Sequence, residues 1–205
     1  LGQALRTGKL RDVVGVPTSE DTVRRARDAG IPLSTLDTFP TVDLTVDGAD
    51  EVDPNLDVIK GLGRALLREK IVAVRTRTYV LVVDESKLVD RLGRGPLPVE
   101  IVPFGATVHV ERLAQIADRA ELWREADGSP IITDNGNYLA RCWFPDGIAD
   151  PHGLAQTLVT WPGVVEHGLF LDLVDAVIIS RPDGTQVVER GADPEARPRT
   201  PRTWA

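Results

Sequence analysis

The segment "TYVLVVDESK", Thr78 to Lys87, limits the fold more than any other part of the chain. Tyr79 to Val83 run without polar alternation, and the run is far too short to cross a bilayer. It reads as a strand covered on both faces, as strands of a parallel sheet are. Parallel strands need helical crossovers, and the preceding residues offer them. "RDVVGVPTSEDTVRRARDAGIPLSTLD" reads as strand, helix, strand, with Val13 to Val16 as a short β-branched run. Thr18 or Ser19 can cap the helix, and Glu20 and Asp21 suit its first turn. Val23 and Ala26 face inward, and Gly30 stands where the residue after a helix end belongs. "TVDLTVD" alternates and predicts a strand ending at Asp47, followed by turn chemistry in "DGADEVDPN". A helix is predicted after "KGLG", with Leu67, Ile71 and Val74 on one stripe at i, i+4, i+7. Glu69 lies roughly opposite that stripe and shares its face with Ala65, Leu66 and Ala73. The resulting β-α-β-α-β order predicts a doubly wound α/β domain.

After "GRGPLP" the rhythm changes. "VEIVPF" predicts a strand and "ATVHVERLAQIADR" an amphipathic helix. "AELWRE" and "PIITDNGNYLARCWF" predict three strands, two of them joined by a tight turn at "DNGN"; "AELWRE" is an edge or a lead-in. "DPHGLAQTLVTWPG" predicts a helix and "VVEHGLFL" a last strand of this unit. The order approximates β-α-β-β-α-β, the ferredoxin-like plan. "DAVIISRPDGTQVVER" adds a hairpin that can return to the first sheet. The expected division is a discontinuous Rossmann-like parallel-sheet domain over 1–95 and 173–190, a ferredoxin-like α+β small domain inserted over 96–172, and a Pro- and Arg-rich tail over 191–205 expected to be disordered.

Composition narrows the function. The 205 residues are 42% hydrophobic and 27% charged, ordinary for a packed globular chain. A formal charge of −7 repels nucleic-acid phosphates and anionic membranes at long range, while leaving room for a local basic pocket. The single cysteine, Cys142, permits no intramolecular disulfide and fits a reducing, cytoplasmic setting; it reads as a half-buried strand residue. His109, His152 and His167 show no metal-ligand spacing, so no metal is expected. No serine sits in a Gly-x-Ser-x-Gly elbow. Trp123, Trp143, Trp161 and Trp204 read as core or interface residues. The opening, "LGQALRTGKL", carries no Met and reads as the end of a helix already under way, closed by Gly8; an upstream segment is expected.

The chemistry concentrates in Thr45 to Lys70. Ligands of parallel sheets bind at the carboxyl ends of the strands. Asp47 and Asp50 stand just past one such end, and Asp84 and Lys87 just past another. "KGLG" opens a helix, whose N–H groups suit an anion, and Lys60 adds a fixed positive charge. Glu69, among small and apolar neighbours, can have its pKa raised toward the range of a general base. Together these groups can abstract a proton next to a carbonyl on an anionic substrate, with a cation and N–H donors for the enediolate. The spacing is neither the Walker pattern nor the dinucleotide fingerprint, and the acidic turn lacks the glutamate that closes a calcium loop. Pattern alone leaves a solvated acidic surface equally open.

A specific resemblance decides between them. "DGADEVDPNLDVIKGLGRALLREKIVA" resembles the core of the type A ribose-5-phosphate isomerase family. "VPTSEDT", "DESKLVDRLG", "LPVEIVPF", "ITDNGNYL", "WPGVVEHGLF" and "RPDGTQVV" extend it over about residues 10 to 190. The resemblance implies interconversion of ribose 5-phosphate and ribulose 5-phosphate without metal or organic cofactor. It implies Glu69 as the base that carries the proton, Lys60 as the cation for the enediolate oxygen, and Asp47 and Asp50 as partners of the sugar hydroxyls that also assist ring opening. Gly48, Ala49, Gly61, Leu62 and Gly63 would add substrate contacts from the same two loops, and Lys87 would help bind substrate. It also implies a homodimer or homotetramer. Leu62 stands where many members have a third glycine, a mild change where only the backbone is used. The family's Gly-Thr-Gly-Ser-Thr phosphate loop would belong before Leu1, together with a helix and a central strand. One rival reading is a non-catalytic sugar-phosphate-sensing domain of a transcription regulator; Glu69 and Lys60 together favour the enzyme. A second is a related class such as a sugar-phosphate deaminase or acyl-CoA transferase; the inserted small domain and the full "DGAD", "KGLG" and "REK" set favour the isomerase.

Overall fold

The computed structural model describes residues 1–191, so the tail expected over 191–205 lies outside the described residues from 192 onward. Helix α1 (Gly2–Arg6) closes at Gly8, whose φ is +70°. Helix α2 (Glu20–Asp28) begins at Ser19, whose side chain accepts the Thr22 N–H, and ends before Gly30 at φ +69°. Ala26 is its buried residue. The runs flanking α2 do not form the two strands expected. They meet only in an isolated parallel bridge, Gly15 to Leu33. Pro17 and Pro32 lack the N–H that a longer ladder needs.

The next elements are β1 (Val42–Asp47), β2 (Glu51–Val52), β3 (Val58–Ile59), α3 (Leu66–Val74) and β4 (Thr76–Asp84), which runs into a 3-10 turn at Glu85–Lys87. Then come β5 (Leu97–Ile101), α4 (Ala106–Leu113), β6 (Arg119–Leu122), β7 (Tyr138–Trp143) and α5 (Pro151–Val159). The last are β8 (Val164–His167), β9 (Leu169–Phe170), β10 (Ala176–Arg181) and β11 (Gly184–Glu189). Among the described residues no helix is long and apolar enough to cross a membrane.

The main sheet has the order β1-β4-β10-β11, with β1, β4 and β10 parallel and β11 closing as an antiparallel hairpin. Its register sets Asp47 opposite Leu81 and Ser180 opposite Asp84, so three strand ends finish at one rim. Tyr79, Leu81 and Val83 of β4 pack with Leu66, Ala73 and Val177 in one core. The other face is not covered as a doubly buried strand would be: Leu44, Val46, Val82 and Val187 are open to solvent. The apolar run of β4 is therefore buried on alternate residues only.

The second large sheet is antiparallel, β6-β7-β5-β8, with α4 packed against β6 and α5 against β8. That strand order is the ferredoxin-like plan, and "AELWRE" supplies its edge strand. The fold is thus a Rossmann-like sheet unit joined to a ferredoxin-like unit, as the sequence reading expected. Two details differ. "PIIT" makes only isolated bridges, Arg124–Pro130 and Ile132–Tyr138, because Pro130 interrupts its ladder; the "DNGN" turn itself is present, with Gly136 at φ +78°. "VVEHGLFL" is two strands in different sheets: β8 belongs to the ferredoxin-like sheet, and β9 joins β2 and β3 in a small bridging sheet. The break is Gly168, where a Cβ would lie 2.2 Å from the Lys60 carbonyl oxygen. Cys142, in β7, is fully buried rather than half-buried, and burial pushes its thiol up to about 12.

Helix α3 also departs from its expected stripe. Leu66, Val72 and Ala73 are buried, while Ile71 is exposed. The side that carries Glu69 is therefore the packed side.

Candidate active site

Strand β1 delivers Asp47 to the carboxyl rim of the main sheet. Its Oδ1 accepts the Gly48 N–H at 2.8 Å, and its Oδ2 accepts from the Tyr79 hydroxyl at 3.4 Å. The chain then turns through β2 and β3. Asp53 ties that turn by accepting the Asn55 and Asp57 N–H groups, which gives the acidic residues of "DEVDPN" a structural task. Leaving β3, the chain places Lys60 almost wholly out of solvent.

The Lys60 ammonium joins the site. It lies 2.9 Å from Asp47 Oδ2 and 3.2 Å from Glu69 Oε2, and it donates to the Gly48 carbonyl. Its own N–H donates to the Gly168 carbonyl at 2.9 Å. Gly61 follows at φ +115°, where a Cβ would press on Leu66 and Pro98, so only glycine fits. Leu62 donates its N–H to Asp50 Oδ2 at 2.9 Å, which closes the "KGLG" loop onto the "DGAD" turn. Ala65, the N-cap of α3, offers no side-chain oxygen to the helix N-terminus.

Burial raises the pKa of Glu69. The Lys60 charge holds it down in part, while Asp47 adds to the rise. Burial likewise raises Asp50, against the Leu62 N–H and the charges of Lys60 and Lys87. The arrangement is a sunken carboxylate that takes a proton more readily than an exposed one, beside an ammonium, at the mouth of a helix N-terminus. It can move a proton on carbon and steady the oxyanion that results.

The structure therefore brings Asp47, Asp50, Lys60, Glu69 and the Leu62 N–H into one cluster. Lys87, on the 3-10 turn after β4, is close enough to act on Asp50 through its charge. Ala49 packs against the first core, and Gly63 stands in open space.

Three features had no local signal in the sequence. Buried Glu51 accepts N–H bonds from Gly93, Arg94 and Gly95, and so anchors the link into β5. Arg68 and Lys70 flank Glu69 on α3 and reach distant partners: Arg68 bonds Glu20, Asn135 and the Asp134 carbonyl, and Lys70 bonds Glu166 and His167. Away from this cluster, His152 lies 3.6 Å from Asp57 and 3.8 Å from Asp172, a set that could hold a metal ion. The Arg190 guanidinium already reaches both carboxylates, at 3.5 Å and 3.4 Å, and offers them the positive charge a cation would supply.

Residues 14–184 match the family model of ribose 5-phosphate isomerase A (phosphoriboisomerase A). The ribose-5-phosphate isomerase A of Roseiflexus castenholzii is 50% identical over 190 residues, 92% of this chain and 81% of that protein. A solved D-ribose-5-phosphate isomerase in complex with phospho-erythronic acid superposes with a TM-score of 0.89 at 44% identity, covering 93% of this chain and 83% of that one. The ribose 5-phosphate isomerase of Plasmodium falciparum gives a TM-score of 0.88 at 39% identity, with the same coverage of 93% and 83%.

Proposed function

The chain belongs to the ribose 5-phosphate isomerase A family, and from that premise we propose that it interconverts ribose 5-phosphate and ribulose 5-phosphate through an enediolate. The observation that carries the mechanism is the pair made by buried Lys60 and Glu69, 3.2 Å apart at the rim of the parallel strands. Glu69 takes the C2 proton of the open-chain aldose. The C–H electron pair forms the C1–C2 double bond, and the carbonyl pair moves onto O1. The Lys60 ammonium supplies the positive charge that steadies that oxygen. The O2 hydroxyl proton passes to O1, C1 takes back the proton held by Glu69, and O2 becomes the ketone. Asp47 and Asp50 bind sugar hydroxyls and assist ring opening. Gly48, Ala49, Gly61, Leu62 and Gly63 add contacts from the two loops, and Lys87 adds a positive charge for the anionic substrate. The family match lends no support to the sugar-phosphate-sensing alternative.

The test is initial-rate kinetics on ribose 5-phosphate. Glu69→Gln removes the base and keeps the side chain's size, so kcat falls about 10²- to 10⁴-fold while KM stays within about threefold. Wild-type-like kcat in the variant removes Glu69 from this role. Absence of turnover by the unaltered protein sinks the isomerase reading itself.

The same proposal includes the division into 1–95 with 173–190 and 96–172, for which the two separate large sheets speak, the parallel β1-β4-β10 with its antiparallel edge β11 and the antiparallel β6-β7-β5-β8. It includes a homodimer or homotetramer, for which Phe104, 91% exposed, offers an apolar contact. It places the enzyme in the cytoplasm, where a lone buried cysteine stays reduced.

A further inference from the structure

Lys70 is an expensive residue to place where it stands. Its side chain is 12% exposed, and burial lowers its pKa to about 8 against the opposing pull of Glu166. An apolar stem of the same length would fill the space without desolvating a charge. The charge, however, is spent on specific bonds. The ammonium lies 2.7 Å from Glu166 Oε1, 2.6 Å from the His167 carbonyl oxygen and 3.3 Å from His167 Nδ1. Burial holds His167 neutral, with its pKa pushed down to about 3, and its Nδ1 accepts the Leu169 N–H, so that nitrogen is an acceptor for Lys70 as well.

These bonds fall on the segment that seats Lys60. One residue after the carbonyl that Lys70 holds, the Gly168 carbonyl accepts the Lys60 N–H at 2.9 Å. Two residues further on, the buried Phe170 ring lies 5.6 Å from the Lys60 ammonium and 4.9 Å from the Lys70 ammonium. Both cations are drawn to the same ring. Thus α3 carries Glu69 at one position and, at the next, a clamp on the support of the lysine that faces Glu69.

We propose that Lys70 is a positioning residue for the isomerisation: from the helix that bears Glu69 it fixes the His167–Phe170 segment, and so sets the spacing between Lys60 and Glu69. This rests on the isomerase reading above. Lys70 touches neither Glu69's partners nor, in this role, the substrate. Its loss therefore acts on the chemical step more than on substrate binding.

The experiment compares the unaltered protein, Lys70→Met and Lys70→Arg on ribose 5-phosphate, with circular dichroism giving the folded fraction. A misplacement near 1 Å can cost about 10²-fold, so Lys70→Met is expected to lower kcat about 10- to 100-fold per folded molecule with KM within about threefold. Lys70→Arg, which keeps the charge and the donors, recovers part of that loss. Three results overturn the proposal: kcat of Lys70→Met within about twofold of the unaltered protein, a change confined to KM, or a loss that vanishes once rates are divided by folded fraction. Where Lys70→Met does not fold, Glu166→Gln weakens the same clamp and leaves the His167 carbonyl bond; a lowered kcat supports the proposal and an unchanged one overturns it. An unaltered protein without turnover overturns the isomerase reading, and this inference with it. An active unaltered protein with an indifferent Lys70 overturns this inference alone.

Discussion

Gly168→Ala tests how tightly the site is fastened to its support. The new methyl would stand 2.2 Å from the Lys60 carbonyl oxygen, 3.0 Å from Pro98 Cδ and 3.3 Å from the Pro98 carbonyl oxygen, where ordinary contact begins at 3.4 Å. The nearest atoms are backbone and a proline ring, so no rotamer change relieves the clash. The β8–β9 junction must move by about 1 Å, and its two bonds, Lys60 N–H to the Gly168 carbonyl at 2.9 Å and Gly168 N–H to the Pro98 carbonyl at 2.8 Å, must stretch. Overpacking costs about 1–3 kcal/mol and each weakened bond about 1 kcal/mol, giving roughly 2–5 kcal/mol. For a chain of this size that lowers the melting midpoint by about 5–20 °C. Because Lys60 is attached to the moving carbonyl, kcat should fall at least about tenfold. Gly63→Ala is the thermal control, since its Cβ would meet nothing within 4 Å; its midpoint should shift by no more than about 2 °C. Thermal melts and initial rates read both variants. A Gly168→Ala protein that melts with the wild type and turns over normally would refute the reasoning.

Three further outcomes rest on Glu69 and Arg190. Burial raises Glu69, so the acid limb of kcat/KM should sit above the ordinary carboxylate range and be lost in Glu69→Gln; a limb at the ordinary position would count against the base assignment. The stability sign is the reverse of a stabilising carboxylate: with its folded pKa raised, Glu69 favours the fold most below its unfolded pKa and less as pH rises through the folded value, so Glu69→Gln should not lower the neutral-pH melting point. Arg190, with its side chain 6% exposed, bonds the Val174 and Leu56 carbonyls and pairs with Asp57 and Asp172. Arg190→Met strands a buried carboxylate and should cost about 3–5 kcal/mol in urea unfolding; an unchanged midpoint would show that the pair contributes nothing.

The sequence announced the site because its parts are local. Asp47, Asp50, Lys60 and Glu69 fall within one turn-loop-helix passage, and their chemistry follows from strand ends, a glycine loop and a helix start. The supports were illegible for the opposite reason. Lys70 finds Glu166, Glu51 finds Gly93, and Arg190 finds Leu56 across long stretches of chain, and no periodicity records such meetings. The stripe of α3 misled for a different cause. A nine-residue helix makes too few turns to separate two candidate faces, and packing buried Leu66 and Ala73, kept Leu67 half-buried and left Ile71 exposed. The prolines beside Gly15 and at Pro130 similarly cut expected strands to bridges.

The Glu51 carboxylate has a mechanical consequence. The chain enters the ferredoxin-like unit past Gly93 to Gly95, whose N–H groups Glu51 holds, and its last strand in that sheet ends just before Gly168, whose N–H and carbonyl are both bonded. Both places are tied by hydrogen bonds on backbone groups. Rotation of one sheet against the other would strain the bonds made by Glu51 and by the Lys60 N–H. Closure of one unit onto the other would have to break these bonds, each worth about 1 kcal/mol. The spacing of Lys60 and Glu69 is thus held by the frame that folding builds, and side chains and loop tips are the parts least tied by such bonds.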